Sequence, residues 1–163
     1  MKLNNFDLIT FDLENKEHLT LLERTIKSNG SELISGDIKR FVERNIELNK
    51  KDNITNCYII ENNNSFIGLA FLNYHPEEKR DEKILSEEIE IGLGILPEFR
   101  GKHLGSQFEK EFSEYLLNKY PQFDEVVARI ENTNLNSINA VKKAGFEHIK
   151  DDEYHFKKTQ KYK

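Results

Sequence analysis

The sequence predicts a mixed α/β fold: a mostly antiparallel central sheet flanked by helices, in one domain spanning residues 1–163. Three observations carry that expectation. Helical apolar repeats near the N-terminus precede two strand-like runs joined by a turn. A strand–helix–strand unit then runs from Glu87 to Ile130, which should place its two strands parallel. A last pair of short strands around Asp151-Asp152 reads as a closing hairpin. With 163 residues the chain is long enough to bury a real core.

In order, a first strand is expected from Leu8 to Leu13, with Phe6-Asp7 leading in. Leu19, Leu22 and Ile26 recur at helical spacing, and Ile34, Ile38, Phe41 and Ile46 do so again after a break at Asn29-Gly30. Strands are expected at Cys57–Glu61 and Phe66–Asn73, joined by the turn Asn62-Asn63-Asn64-Ser65. His75 to Ser86 is a polar, charged connection, and the next strand spans about Glu87 to Ile95. Leu104, Phe108, Phe112 and Leu116 form one apolar stripe of a helix that ends near Tyr120-Pro121. The run from Val126 to Ile130, apolar but for Arg129, suits a strand buried on both faces. A helix from Leu135 to Ala144 should stop at Gly145. Strands at Phe146–Lys150 and Tyr154–Lys158 complete the chain, which shows no repeat or linker.

Composition excludes several classes of function. At 37% hydrophobic and 33% charged residues the chain reads as globular, and no apolar run approaches the roughly 18 residues of a membrane span. The N-terminus lacks the apolar core of a signal peptide, so the expected location is cytoplasmic. A net charge of −5 argues against nucleic-acid binding, which wants a basic face. From Glu77 to Glu90 seven acidic residues stand against three basic ones, either a solvated segment or a lure for a cationic substrate. Cys57, the sole cysteine, sits in an apolar run and reads as a buried strand thiol. His18, His148 and His155 lack metal-ligand spacing, so no metal is expected. No phosphate-binding loop of the Gly-x-x-x-x-Gly-Lys type occurs, and Gly92-x-Gly94 lacks the third glycine of a dinucleotide fingerprint.

The most informative stretch is Glu90-Ile91-Gly92-Leu93-Gly94-Ile95-Leu96-Pro97-Glu98-Phe99-Arg100-Gly101-Lys102-His103-Leu104-Gly105. A strand passes through Pro97 into a short loop and straight into a helix. The first amides of such a helix have no intrahelical acceptor. With the positive end of the helix dipole, they form a seat for a phosphate or pyrophosphate. A second patterned block follows at Asn134-Leu135-Asn136-Ser137-Ile138-Asn139-Ala140-Val141-Lys142-Lys143-Ala144-Gly145-Phe146.

These two blocks, in this order, closely resemble the GNAT superfamily of acyl-CoA-dependent N-acyltransferases. Its signature, Arg/Gln-x-x-Gly-x-Gly/Ala at a helix start, reads here as Arg100-Gly101-Lys102-His103-Leu104-Gly105. The approach from Glu90 to Lys102 is most similar to members related to ribosomal-protein N-terminal acetyltransferases. The second block, Asn-x-x-Ser-x-x-x-x-x-Lys-x-Gly-Phe, is met by Asn134, Ser137, Lys143, Gly145 and Phe146. The resemblance implies acetyl-CoA as cofactor and transfer of its acetyl group to a primary amine by direct attack in a ternary complex. The acceptor would be a protein N-terminus or a small-molecule amine, and the protein a monomer or homodimer. It also implies that the backbone of Ile95 and Leu96 pairs with the pantetheine arm. Amides of Arg100, Gly101, Lys102, His103, Leu104 and Gly105 would hold the pyrophosphate, and Asn134, with Ser137 of its block, would serve the cofactor arm. Asn134 also suits a helix N-cap, and Arg100 either pairs with phosphate or shields the loop.

Two departures stand out. His103 replaces the family's middle glycine, which is harmless to amide donation if the local dihedrals are helical. Val141 occupies the place of a Tyr that in many relatives protonates the leaving thiolate. Tyr154, Tyr120, Tyr74 and His75 are the substitutes at hand. An alkyl amine with a pKa of roughly 10.4 must lose a proton before or during attack, whereas a thiol of roughly 8.5 leaves tolerably well unaided. For the base the candidates are Glu90 first and Glu88 second, which project from one strand face opposite Ile89 and Ile91. The missing Tyr and the His in the loop also admit a CoA-binding sensor with little turnover.

Overall fold

The computed structural model describes residues 1–28, 35–80, 83–85 and 87–158. Its strands are β1 (Asp7–Thr10), β2 (Asn56–Asn62), β3 (Ser65–His75), β4 (Glu78–Arg80), β5 (Lys83–Leu85), β6 (Glu88–Ile95), β7 (Glu125–Arg129), β8 (Glu147–Lys150) and β9 (Glu153–Lys157). The helices are α1 (Lys16–Ser28), α2 (Ser35–Asp52), α3 (Leu104–Lys119) and α4 (Leu135–Ala144), with a 3₁₀ turn at Pro97–Phe99. Seven strands form one mixed sheet in the order β1-β2-β3-β6-β7-β9-β8, and β4 with β5 forms a separate hairpin. The β1–β2, β2–β3, β7–β9 and β8–β9 pairs are antiparallel. β6 and β7 pair parallel, with Ile89 opposite Val126 and Glu90 opposite Val127. Among the described residues, no helix is long and apolar enough to cross a membrane.

Contacts group the chain into two compact units, one of residues 1–73 and 92–104, the other of 74–91 and 105–163. In the first unit, Phe11, Leu21, Leu22, Val42, Cys57, Ile59, Leu69 and Leu96 form the core. Asn15 caps α1 by accepting from the Glu17 N–H at 2.9 Å, which fixes where the helix starts. The first strand ends earlier than its apolar run suggests. Asp12 accepts from the Glu14 N–H at 2.9 Å, a local turn that takes the chain out of the ladder. His18 is a core histidine whose Nδ1 accepts from the Asp12 N–H at 3.0 Å. Burial raises the Cys57 thiol far above its ordinary range, as suits an inert strand thiol. The expected break at Asn29-Gly30 and the apolar position Ile34 lie outside the described residues, as does the side chain of Ile38.

One close approach shapes this unit. A Cβ on Gly68 would lie 2.1 Å from the Gly94 carbonyl oxygen, and the neighbouring Leu96 N–H donates to Ile67 O at 2.9 Å. Backbone atoms cannot yield as a flexible side chain can, so this position of β3 accepts only glycine.

In the second unit, Phe108, Phe112, Leu116 and Leu117 of α3 are buried, as are Val126, Val127 and Ala128 of β7 and Ile138, Val141 and Ala144 of α4. Gly145 ends α4 at φ 101°. Its N–H donates to Lys142 O, and the Phe146 N–H donates to Val141 O at 3.0 Å. This paired closure is the one that needs a left-handed residue. The hairpin of β4 and β5 lies in the segment expected to be a plain connection, because charged residues there hide any apolar alternation.

Helix α3 also buries Glu109 (6% exposed) and Ser113 (0%), one helical turn apart on one face. Glu109 Oε2 and Ser113 Oγ have no hydrogen-bond partner among the described residues. Burial pushes the Glu109 carboxyl up to about 8, so it is largely protonated at neutral pH.

Two outcomes follow. Gly68→Ala should destabilise by roughly 1–3 kcal/mol or more, the range for overpacking, measured by denaturant unfolding; an unchanged midpoint would refute the close approach. The raised Glu109 carboxyl makes the folded state hold a proton that the unfolded state releases above its ordinary value of 4.5. Stability should therefore fall as pH climbs from there towards about 8. In thermal unfolding, Glu109→Gln should flatten that slope and melt several degrees above the unsubstituted protein at about pH 9. Parallel pH profiles would show that the carboxyl finds water or a partner.

Candidate functional site

The loop after β6 is held in place from α1. Arg24 of α1 pairs with Glu98 at 2.6 Å, cancelling the one acidic charge on the turn. Arg100 donates from Nε to Ile95 O at 2.9 Å and from Nη2 to Ser28 O at 3.1 Å and Ser28 Oγ at 3.2 Å. Of the two roles open to Arg100 in the sequence, this geometry supplies the brace: its guanidinium clasps the strand end to the last turn of α1. Lys102 carries its ammonium 5.4 Å from the Phe99 ring centroid, on the exposed side of the turn.

The loop backbone is left-handed at two places, Gly101 (φ 74°) and His103 (φ 61°). The second value departs from the helical dihedrals under which a side chain at that position is harmless. His tolerates this region better than most residues, at a cost of about 1–2 kcal/mol relative to glycine. Leu104 opens α3 immediately afterwards, so the amides of its first turn lie at the exposed end of a 16-residue helix. Ile95 and Leu96 both have backbone groups in use, the Ile95 carbonyl by Arg100 and the Leu96 N–H by Ile67.

Asn134 and Ser137 belong to the other unit and meet each other at the start of α4. The Asn134 side chain accepts from the Ser137 N–H at 3.2 Å, so its N-cap role is real. Glu88 and Glu90 lie in that same unit and do point to one face of β6, while Ile89 and Ile91 are buried. Neither carboxylate stands alone. Arg129, at the end of β7, reaches Glu88 Oε1 with Nη2 and Glu90 Oε2 with Nη1, both at 2.7 Å. The register explains the reach: Glu90 faces Val127, and Arg129 lies two residues further on the same face.

The cluster continues in both directions. His75, the last residue of β3, places Nε2 2.9 Å from Glu90 Oε2. On the other side Arg129 Nη2 lies 3.4 Å from Glu153 Oε2, and Glu153 Oε1 meets His155 Nε2 at 2.6 Å. His155 Nδ1 in turn meets Glu125 Oε1 at 2.9 Å. Charges thus alternate along one face of β3, β6, β7 and β9. Burial alone would push the Glu90 carboxyl up, but the His75 hydrogen bond and the Arg129 charge outweigh it and hold it below its ordinary value. The Glu90 hydrogen bond pushes His75 up. Donor atoms of His75, Glu88 and Glu90 fall within 4.8 Å of one another, a spacing that would suit a cation, and the Arg129 guanidinium already supplies one.

Sequence reasoning found Glu88 and Glu90 but missed Arg129. The available signal was the pair of like charges on one strand face, which calls for a cation on the neighbouring parallel strand. The substitute acids divide clearly. Tyr74 donates to Glu87 Oε2 at 2.8 Å; Tyr120 packs on Phe123, with ring centroids 6.4 Å apart; Tyr154 is buried beneath the His148 ring. Val141 is 1% exposed, so its position offers neither a proton nor access.

Comparison with known proteins gives the architecture a family. The family model described as an acetyltransferase (GNAT) domain matches residues 11–147. No curated protein matches significantly. Among solved structures, RimL, a ribosomal L7/L12 alpha-N-protein acetyltransferase in complex with coenzyme A, is similar at 16% identity and a TM-score of 0.66, over 94% of both chains. The aminoglycoside acetyltransferase AAC(6')-Ib with coenzyme A is similar at 19% identity and a TM-score of 0.67, again over 94% of both chains. The Campylobacter jejuni N-acetyltransferase PseH in complex with acetyl coenzyme A shows 15% identity and a TM-score of 0.62, over 94% of this chain and 99% of the other. At these identities the likeness is one of fold, while the family match spans most of the sequence: the chain belongs to the GNAT acetyltransferases.

Proposed function

We propose that this protein transfers an acetyl group from acetyl-CoA to a primary amine by direct attack in a ternary complex. The observation that carries it is the braced loop from Arg100 to Gly105, left-handed at Gly101 and His103, opening into the N-terminus of α3. Such a loop presents amides and a positive dipole end to an anion, and the nearby Glu98 has its charge paired with Arg24. These residues fit a pyrophosphate. Amides of Arg100, Gly101, Lys102, His103, Leu104 and Gly105 would hold it. The backbone of Ile95 and Leu96 would pair with the pantetheine arm, and Asn134 with Ser137 would serve the arm near the sulfur. Acetyl-CoA supplies an activated acyl group when bound. The side chains have two tasks, orienting the amine and receiving its proton, and the cluster around Glu90 and Glu88 is suited to the second.

RimL modifies a protein N-terminus and AAC(6')-Ib has been captured with kanamycin, so both kinds of amine are reasonable acceptors here. The alternative is a module that binds acyl-CoA with little turnover, favoured by the buried Val141 where many relatives carry an acid. A ligand that binds only the folded state at about 100 times its dissociation constant adds about 2.7 kcal/mol. Thermal unfolding should therefore shift upward with acetyl-CoA and with CoA but not with ATP. Thiol release should then be followed with a short peptide bearing a free N-terminus and with kanamycin. Turnover of either amine supports the transferase, a shift with no turnover supports the binding module, and no shift defeats both.

The loop makes a second expectation. His103→Gly should be more stable than His103→Val by about 1–2 kcal/mol, because a β-branched residue is poorly tolerated at positive φ. The Gly variant should also keep its acetyl-CoA shift. Equal melting of the two variants would show that position 103 is not held left-handed.

A further inference from the structure

We infer that His75 is the group that takes the proton of the acceptor amine, and that Glu90 is its positioning residue. This rests on the transferase assignment above and names a residue for one of its steps. Glu90 and His75 divide the requirements of a base between them. Glu90 Oε2 already accepts from Arg129 Nη1 at 2.7 Å and lies 2.9 Å from His75 Nε2, so both contacts stabilise its ionised form. A carboxylate so satisfied gives up little energy by staying charged and gains little by taking a proton. His75 has the opposite arrangement. Its neutral form donates from Nε2 to Glu90, which leaves Nδ1 as the basic nitrogen. Nδ1 has no partner among the described residues, and the side chain is 49% exposed, so an amine or a bridging water can reach it.

The charges facing His75 set its behaviour. Glu90 and Glu88 of β6 favour its protonated form, and Arg129 of β7 opposes it. The balance lifts His75 above its ordinary 6.5, with the Glu90 hydrogen bond as the largest cause. Arg129 thereby has a second effect: it favours the ionised form of Glu90 and opposes the protonated form of His75. Tyr74 and Glu87, the nearest neighbours of this cluster in sequence, are bonded to each other and do not compete for Nδ1.

In the step itself an alkylammonium gives one proton to Nδ1, and its freed lone pair attacks the thioester carbonyl carbon. The C–N bond forms and the C–S bond breaks. The second N–H proton leaves the nitrogen and neutralises the departing thiolate. Products are an N-alkylacetamide, the CoA thiol and imidazolium, which returns one proton to solvent.

The test uses the full-length protein, acetyl-CoA, and whichever of the peptide amine or kanamycin is turned over. His75→Gln should lower kcat about 100-fold or more, the usual size of general-base catalysis, with its acetyl-CoA thermal shift unchanged. In the unsubstituted protein, kcat should rise with pH through a limb above about 6.5. Glu90→Gln should move that limb to lower pH and lower kcat less than His75→Gln does. The midpoint of His75, followed by proton–carbon NMR without any substrate, should move down in step. Two outcomes overturn the assignment: His75→Gln retaining kcat within about twofold and the same limb, or Glu90→Gln abolishing the limb while the His75 midpoint stays put. Absence of any acetyl-CoA shift in the unsubstituted protein would overturn the transferase assignment and this one with it.

Discussion

The Arg129 guanidinium is the interaction on which the acid–base cluster depends. Glu88 and Glu90 project from one face of β6, two residues apart, and Glu153 approaches from β9. Three half-buried carboxylates in one place would repel one another and resist losing water. A planar cation with donors on separate nitrogens resolves this, because one side chain can serve two carboxylates at 2.7 Å each and still lie 3.4 Å from a third. A lysine, with a single charged point, could not bridge them in the same way. Removing the cation would leave partly buried charge uncompensated, which costs more than such a pair contributes when intact.

That solution has a chemical consequence. A carboxylate held ionised by arginine is a weak proton acceptor but a good orienter of an imidazole. In the proposed reaction, the same ion pair that joins these strands would shift the proton-accepting role from Glu90 to the group bonded to it. Its alternation continues through Glu153, His155 and Glu125, so the strands carry a row of compensated charges in place of an acidic patch. A cationic acceptor would meet a surface on which Arg129 already offsets Glu88 and Glu90. The simple excess of acid counted along residues 77–90 overstates that pull.

Most of the fold was legible because its elements announce themselves locally. Apolar spacing pointed to α1, α2 and α3, the Asn62–Ser65 turn to the β2–β3 hairpin, and Gly145 marked the end of α4, where φ is 101°. What escaped depends on information that is not local. Arg129 lies 39 residues from Glu90 and becomes its partner only through the parallel register of β6 and β7. The motif leaves Arg100 either to pair with phosphate or to shield the loop, and its bonds to Ser28, 72 residues away, are invisible to local spacing. Glu109 reads as an ordinary polar position of an amphipathic helix, and only the packed helix shows it on the buried side. The β4–β5 hairpin, Glu78-Lys79-Arg80 with Lys83-Ile84-Leu85, has too few apolar residues to carry an alternation. At His103 the motif marked the unusual position correctly. The glycine-like dihedral survives there despite the side chain, because the chain must still turn into α3.

The departure at Val141 bears on whether the fold is used for catalysis or only for binding. A tyrosine acid is needed where the leaving group is poor, and a thiolate is not: with a thiol pKa of roughly 8.5, it departs without strong assistance near neutral pH. The demanding proton is the one on the amine, about two units more tightly held than that of a thiol. Loss of an acid at position 141 is thus the less costly of the two losses an acetyltransferase could suffer. In the proposed reaction, a half-exposed imidazole fixed by a carboxylate, itself fixed by arginine, would address the more demanding proton. A module that only bound acyl-CoA would gain nothing from such an arrangement, since the proposed phosphate loop has its own braces in Arg24 and Arg100. Four carboxylates and two histidines in one alternating row would serve the proposed proton transfer, a use that cofactor capture alone does not have.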